Sequence, residues 1–183
     1  MVQVCSFPPI ATAAARVLVL GSMPGAESLR QGRYYAHPQN AFWPIVGELL
    51  GFPGDADYAS ATKALRANDI ALWDVLQRCE RQGSLDSDID PQSIVVNDFA
   101  RFFAQHPAIR VVFCNGATAH SLYLRRVVPT LCGPAAQLPV VRLPSTSPAH
   151  ASLRRTAKVT AWRVLLDALS ARGIAASPCE GER

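Results

Sequence analysis

The stretch that decides the fold is VLVLGSMPGAESLRQGRYYAHPQNAFW, residues 17–43. Its first four residues, 17–20, are all apolar and predict a buried β-strand. A Gly/Pro turn, two adjacent tyrosines, a histidine and an asparagine follow, and an apolar segment that predicts a helix comes next. A loop this rich in polar and aromatic groups, attached to the end of a strand, is where α/β proteins hold a ligand.

Further apolar runs outside this stretch predict the rest of the fold. Runs at residues 69–75, 111–114 and 140–143 predict three more strands. Helices are predicted between and after the strands, over residues 41–50, 58–67, 96–105, 117–128 and 153–172. Short apolar runs that alternate with helices indicate parallel strands buried on both faces. The sequence therefore predicts a three-layer α/β/α fold with a central four-stranded parallel sheet. One domain is expected over residues 1–173, followed by a disordered tail over residues 174–183.

Composition excludes several classes of protein and leaves others open. The chain has 183 residues, of which 49% are hydrophobic and 17% charged, as expected of a compact domain. Its formal net charge of +4 is compatible with a polyanionic partner. The five cysteines form no CxxC pair or Cys/His cluster, so no metal site is predicted. Scattered single cysteines, with no apolar segment of membrane-spanning length, predict a cytoplasmic protein.

The polar residues that follow the predicted strands should converge, because the carboxyl ends of parallel strands meet at one edge of a sheet. No GxGxxG, Walker A or GxSxG motif is present, which argues against a dinucleotide, a triphosphate or a serine hydrolase. Amides, hydroxyls and aromatic rings remain. An asparagine amide can hydrogen-bond the edge of a nucleobase and an aromatic ring can stack on its face, so these groups suit an extruded base.

Four motifs occur in order, each beginning at the end of a predicted strand or in the loop that follows. They are GSMPG at 21–25, YYAHPQNAFW at 34–43, FCNG at 113–116 and LPSTSPAH at 143–150. In these motifs the chain resembles the uracil-DNA glycosylase superfamily, and most of all its hypoxanthine-DNA glycosylase branch, with the mismatch-specific uracil/thymine glycosylases next. The resemblance covers about residues 15–165.

The resemblance implies a monofunctional DNA glycosylase. Such an enzyme hydrolyses the N-glycosidic bond of a deaminated base, hypoxanthine or uracil or both, and leaves an abasic site for base excision repair. It uses no cofactor. The expected partner is double-stranded DNA that carries deaminated bases, bound by a monomer associated with the nucleoid and not with a membrane. Two alternatives remain open, a mismatch-specific uracil/thymine-DNA glycosylase and a non-catalytic DNA-binding module on the same fold.

The resemblance also assigns roles to individual residues. Many relatives have Asp or Asn before the proline of the first motif, where this chain has Met23, so Asn40 is the expected group that positions the attacking water. The other residues with expected catalytic roles are Ser22 and Ser145. The base-binding residues implied are Asn115, Tyr35, Phe42 and Met23. Contacts to DNA are implied for Gly25, His37, Ser147, Pro148 and His150.

Simpler interpretations of the same residues stay open at this point. Asn40 could cap the helix that follows it, because asparagine is a preferred N-cap. Asn115 and Gly116 could form a turn that ends a strand. Asp74 could be structural or could support groups in the site, whereas Asp86 is interpreted as an ordinary turn residue.

Overall fold

The computed structural model of the chain describes residues 2–150 and 152–170. The strands are β1 (Val2–Cys5), β2 (Val17–Gly21), β3 (Ile70–Asp74), β4 (Leu76–Arg81), β5 (Val95–Val96), β6 (Val111–Asn115) and β7 (Val140–Leu143). The α-helices are α1 (Ala26–Gln31), α2 (Phe42–Leu50), α3 (Tyr58–Ala67), α4 (Phe99–Gln105), α5 (Ala117–Leu122), α6 (Arg155–Trp162) and α7 (Val164–Ser170). The tail predicted over residues 174–183 lies outside the described residues. Within those residues, no helix has the length and apolar character that a membrane crossing requires.

The predicted four-stranded parallel sheet is confirmed. Its strand order is β3-β2-β6-β7, and every neighbouring pair is parallel. The central strand β2 pairs Leu20 with Trp73 of β3 on one side and with Cys114 of β6 on the other. All five residues of β2 and all five of β3 are buried. Since successive side chains of a strand point to opposite faces, both faces of the sheet are covered, as the continuous apolar runs predict.

The helices pack on the sheet through aromatic contacts. Phe42 of α2 meets Trp162 of α6 edge-to-face, with ring centroids 5.8 Å apart. Trp73, at the end of β3, packs against Phe99 and Phe102 of α4, with centroids 5.1 and 4.9 Å apart. The phenylalanines of α4 are therefore core residues, as their helical spacing indicates.

A second, antiparallel sheet of order β1-β4-β5 was not predicted from the sequence. Its strand β4 follows β3 after the single residue Val75, and its pattern LQRCER is too polar to resemble a buried strand. The short β5 occupies the start of the segment predicted as helix 96–105, so α4 begins only at Phe99, where the Asp98 side chain accepts a hydrogen bond from Arg101 N. This sheet matters for the site because β4 carries the loop 82–90, which reaches the carboxyl edge of the parallel sheet.

Two predicted helices are shorter than the sequence suggests. The helix predicted over 117–128 is α-helical only to Leu122 and continues as a π-helical turn, Tyr123–Val127. The helix predicted over 153–172 begins at Arg155 and is interrupted at Arg163, between α6 and α7.

Candidate active site

A cleft of about 660 Å³ lies at the carboxyl ends of the parallel strands. The loops after β2, β4, β6 and β7 form its walls, and the last residue of β3, Asp74, lies on its floor. All the site residues expected from the sequence line this cleft, with the exception of Phe42. The four motifs, which are far apart in the chain, therefore converge as the parallel-sheet argument requires.

The first motif forms a tight loop that distant residues hold in place. The Ser22 hydroxyl donates a hydrogen bond of 2.7 Å to Oδ1 of Asp86, in the loop after β4. The carbonyl oxygen of Pro24 accepts a hydrogen bond from the buried guanidinium of Arg81, at the end of β4. Gly25 precedes α1 and Met23 is almost completely buried. The second sheet, absent from the sequence prediction, thus fixes the shape of this loop.

Gly21 leaves room for two polar groups on the floor of the cleft. A Cβ at this position would lie 2.3 Å from Oδ1 of Asp74 and 2.9 Å from the hydroxyl of Tyr35. Both distances are shorter than any real side chain would accept, so only glycine leaves the space that the carboxyl and the phenol occupy.

Tyr35 provides the aromatic wall of the cleft. Its backbone has φ = 53°, the left-handed region that is uncommon for a residue other than glycine. Its ring stacks on Phe42, with centroids 4.1 Å apart and planes inclined by 22°. Phe42 itself is completely buried, so the direct base contact expected of it is wrong. The reason is that its place in the first turn of α2 directs the ring into the core, where it supports Tyr35 from behind.

Tyr34, the neighbour of Tyr35, is held in the core. Its side chain is 2% exposed, and its hydroxyl donates to the carbonyl oxygen of Phe7 at 3.1 Å. The hydroxyl of Tyr35 makes no hydrogen bond to any of the described residues. Burial and the nearby charge of Asp74 raise the pKa of Tyr35 above its usual range, so the phenol keeps its proton.

Asn40 begins α2 and also faces the cleft. Its Oδ1 accepts a hydrogen bond of 3.0 Å from the backbone N–H of Phe42. Asn40 thus bonds the first N–H of α2, as the capping interpretation expects, although the N-cap residue of the helix is Ala41 and makes no side-chain cap bond. The Nδ2 group of Asn40 has no hydrogen-bond partner in the part of the chain that the structure describes, and Asn40 lies in the wall of the cleft. The side chain can thus cap the helix and still interact with a bound molecule.

Asn115, at the end of β6, is engaged by the fourth motif. Its Nδ2 donates to Oγ1 of Thr146 at 2.8 Å, and its Oδ1 accepts from the backbone N–H of Thr146 at 2.9 Å. Thr146 is 1% exposed, so this paired contact fastens β6 to the loop after β7. One N–H and one lone pair of the amide remain for a ligand.

The rest of the fourth motif is a hydrogen-bonded turn at the rim of the cleft. The Ser145 hydroxyl accepts from the Ser147 N–H at 3.2 Å, and the His150 carbonyl accepts from Nζ of Lys158 at 2.8 Å. Pro148 and His150 are exposed, as is His37 on the second motif. These rim positions are those expected of residues that contact the backbone of DNA.

Two carboxyl groups, those of Asp74 and Asp86, have a larger part in the site than the sequence pattern indicates. Asp74 is 3% exposed, and its Oδ2 accepts a hydrogen bond of 2.7 Å from the Ser6 hydroxyl. The pKa of Asp74 is raised to about 7, mainly by burial and further by the nearby charge of Asp86. The hydrogen bond from Ser6 and the charge of Arg81 lower this pKa but do not cancel the rise. Asp86 is not an ordinary turn residue, because it binds the first motif through Ser22. The available signal was the position of Asp74 near the carboxyl end of the predicted strand 69–75.

Comparisons with known proteins agree with this geometry. The family model of the uracil DNA glycosylase superfamily matches residues 8–166. A hypoxanthine DNA glycosylase of Methanosarcina acetivorans is 39% identical over 114 residues, which are 62% of this chain and 71% of that protein. The hypoxanthine DNA glycosylase of Methanosarcina barkeri is 36% identical over 111 residues, which are 60% of this chain and 69% of that protein.

A solved structure is similar over nearly the whole chain. The solution NMR structure of a candidate uracil DNA glycosylase from Methanosarcina acetivorans has a TM-score of 0.72 and 31% sequence identity, and the match covers 90% of this chain and 99% of that one. The protein therefore belongs to the uracil DNA glycosylase superfamily and is a DNA glycosylase.

Proposed function

We propose that this DNA glycosylase removes deaminated bases, hypoxanthine and uracil, from double-stranded DNA and leaves an abasic site for base excision repair. The observation that carries the proposal is the convergence of Tyr35, Asn40 and Asn115 on one cleft at the carboxyl edge of the sheet. The names of the relatives support hypoxanthine as a substrate.

Recognition of the base would begin with its extrusion from the duplex. A base that is stacked inside the DNA duplex cannot enter the cleft. Unstacking it costs a few kcal/mol, and the cost is lower for a mispaired base. The ring of Tyr35 offers a flat face, and Phe42 stacked behind it keeps that face in place. Stacking of a base on an aromatic ring contributes about 1–3 kcal/mol, which is comparable to the cost of extrusion.

Hydrolysis would then proceed without a strong general base in the second motif. The bond from C1′ to the base breaks as the water oxygen approaches C1′, the base leaves with the bonding electron pair, and the water gives up a proton to solvent. Asn40 holds that water through the lone pair of Oδ1 that Phe42 N–H does not use, or through Nδ2. An amide cannot remove a proton at neutral pH, so its contribution is positioning, which suits a transition state in which the base has largely departed.

Contacts to the DNA backbone would come from the rim. Ser147, Pro148 and His150 lie on one side of the cleft and His37 on the other. The enzyme acts as a monomer and locates to the nucleoid, where its substrate is found. Size-exclusion chromatography with light scattering tests the first of these, and a mass of two chains or more would contradict it.

The experiment that tests the function is a strand-cleavage assay. Duplexes that carry hypoxanthine, uracil, xanthine or a thymine opposite guanine are incubated with the protein and then treated with alkali. Cleavage is expected with hypoxanthine and uracil after alkali only, because a monofunctional enzyme leaves the strand intact. No product above background with any deaminated base would refute the proposal.

The variant Asn40→Ala separates the role of Asn40 from that of the fold. Single-turnover rates are expected to fall by about 10²–10³-fold, the loss typical of a positioned amide, while DNA binding persists. Gln39→Ala is the matched control, because Gln39 is exposed and its side chain does not enter the wall of the cleft. A wild-type rate in Asn40→Ala would remove Asn40 from the mechanism without affecting the proposed activity.

A further inference from the structure

A buried carboxyl group on the floor of the cleft has no role in the mechanism above. Asp74 is 3% exposed, and its Oδ2 is bound by the Ser6 hydroxyl. Its Oδ1 accepts no hydrogen bond from the described residues and lies beside the empty Cβ position of Gly21. One oxygen of the carboxyl group is therefore satisfied by the protein, and the other lies beside Gly21, at a point where both Asp74 and Gly21 line the cleft.

Burial of this group works against stability. A carboxylate that leaves water needs a cationic partner or several hydrogen bonds to offset the loss of hydration. Arg81 is the nearby cation, but its Nη2 binds the carbonyl oxygen of Pro24, and its Nε and Nη1 make no hydrogen bond within the described residues. Asp86 adds negative charge on the same side. The described residues therefore compensate this carboxyl group poorly, and a ligand that brings a hydrogen-bond donor would improve the arrangement.

The amide that the sequence suggests for reading the base is partly engaged by the protein, which leaves one N–H and one lone pair of Asn115 for a ligand. Both polar atoms of Asn115 bind Thr146, so its orientation is set by the protein. Asp74 differs, because its Oδ1 has no hydrogen-bond partner among the described residues, the residue lines the cleft, and its position is fixed by the strand end and by Ser6. A rigid acceptor of this kind discriminates between a donor and a lone pair on a ligand.

We propose that Oδ1 of Asp74 accepts the ring N–H that deamination adds to a base, so that Asp74 is the residue that selects deaminated bases over their amino precursors. The inference rests on the proposed function. Adenine has a lone pair at N1 where hypoxanthine has N–H, and cytosine has a lone pair at N3 where uracil has N–H. An ionised carboxylate attracts the N–H and repels the lone pair, so one group serves purines and pyrimidines alike.

The same chemistry limits which bases Asp74 can distinguish. Guanine and xanthine both carry an N–H at N1, so Asp74 accepts either, and rejection of guanine must depend on its 2-amino group. The carboxylate discriminates against bases whose ring nitrogen carries no hydrogen, and it does not discriminate between bases by ring size. This distinguishes the proposal from selection by the width of the cleft.

The test compares Asp74→Asn with wild type on duplexes that carry hypoxanthine or adenine. Asparagine has the same shape but can turn its N–H towards a lone pair. The ratio of kcat/KM for hypoxanthine to that for adenine is expected to fall by about 10- to 100-fold, the worth of one charged hydrogen bond. In an Asn40→Ala background, where chemistry is slow, the ratio of the two dissociation constants should change in the same direction. Wild type should also fail to excise N1-methylhypoxanthine, which lacks the hydrogen.

Asp86→Asn is the matched control, because it removes a second carboxylate from the same cleft. The ratio should not fall in this variant, because the Asp86 carboxylate is bound to Ser22 and its charge opposes the ionisation of Asp74 instead of supporting it. An unchanged ratio in Asp74→Asn, or an equal fall in both variants, would overturn the proposal. Excision of hypoxanthine by wild type in that same experiment would leave the proposed function intact, whereas no excision of any deaminated base would refute the function itself.

Discussion

Asp74→Asn is expected to stabilise the protein at neutral and alkaline pH, although it impairs base selection. The reason is the burial of a carboxyl group whose pKa rises from an ordinary 3.8 to about 7. Because its pKa is higher in the folded than in the unfolded state, the folded protein binds more protons between these two values. Stability from this group is therefore fully present below pH 3.8 and is lost as the pH rises towards 7.

The magnitude follows from the same two values. Each unit of difference between the folded-state and unfolded-state pKa corresponds to about 1.4 kcal/mol. Ionisation of buried Asp74 therefore reduces the free energy of unfolding by about 4 kcal/mol between acid pH and pH above 7. Asparagine does not titrate, and it retains an oxygen for the Ser6 hydroxyl. The difference in free energy of unfolding between variant and wild type should therefore grow by about 4 kcal/mol across this range.

The assay is urea denaturation of both proteins at half-unit steps from pH 4 to pH 9, monitored by circular dichroism. Other groups titrate in both proteins and cancel in the difference, apart from the smaller effects of losing the Asp74 charge on Asp86, Arg81 and the phenols of Tyr34 and Tyr35. A difference that stays constant with pH would refute the reasoning, since it would mean that Asp74 is ionised with an ordinary pKa. A variant that becomes less stable as the pH rises would refute it more strongly.

Two further predictions concern the local structure of the site. Gly21→Ala should lower the free energy of unfolding by about 1–3 kcal/mol, because its Cβ would collide with Asp74 and Tyr35. Gly25→Ala is the control in the same denaturation experiment, because a Cβ at Gly25 would meet nothing within 4 Å. Equal stability of the two variants would contradict the predicted collision at Gly21. Asn40→Ala should lower the free energy of unfolding by about 0.5–2 kcal/mol through loss of the bond to Phe42 N. Asn40→Ser should recover most of that stability without recovering activity. A serine variant with full excision activity would show that capping is the whole role of Asn40.

Much of the fold could be predicted because its signals are local. The apolar run at the start of residues 17–43 is a strand buried on both faces, and β2 occupies the centre of the sheet as such a run suggests. The order of strands and helices then placed the loop residues at one edge. The antiparallel sheet escaped prediction because β4 alternates buried and exposed positions without forming an apolar run, and because β5 has only two residues.

The sequence indicates which residues lie at the site better than it indicates the contacts that those residues make. Tyr35, Asn40 and Asn115 all line the cleft, since each lies on a loop or strand end at the carboxyl edge. Phe42 does not, because the first turn of α2 rotates its ring into the core. The contacts of Asp74 could not be predicted, since they depend on the space at Gly21 and on Ser6, which is 68 residues away.

By itself the sequence determined the class of fold, the family and the set of loops that meet, because hydrophobic periodicity and short motifs are properties of neighbouring residues. Only the tertiary structure decided which side chains are free to meet a ligand. The Asn115 amide gives one N–H and one lone pair to Thr146, 31 residues away, whereas Oδ1 of Asp74 has no hydrogen-bond partner among the described residues. The physical reason is that a polar group is available for binding only when no distant part of the chain already satisfies it, and those partners are set by packing between segments that no local pattern records.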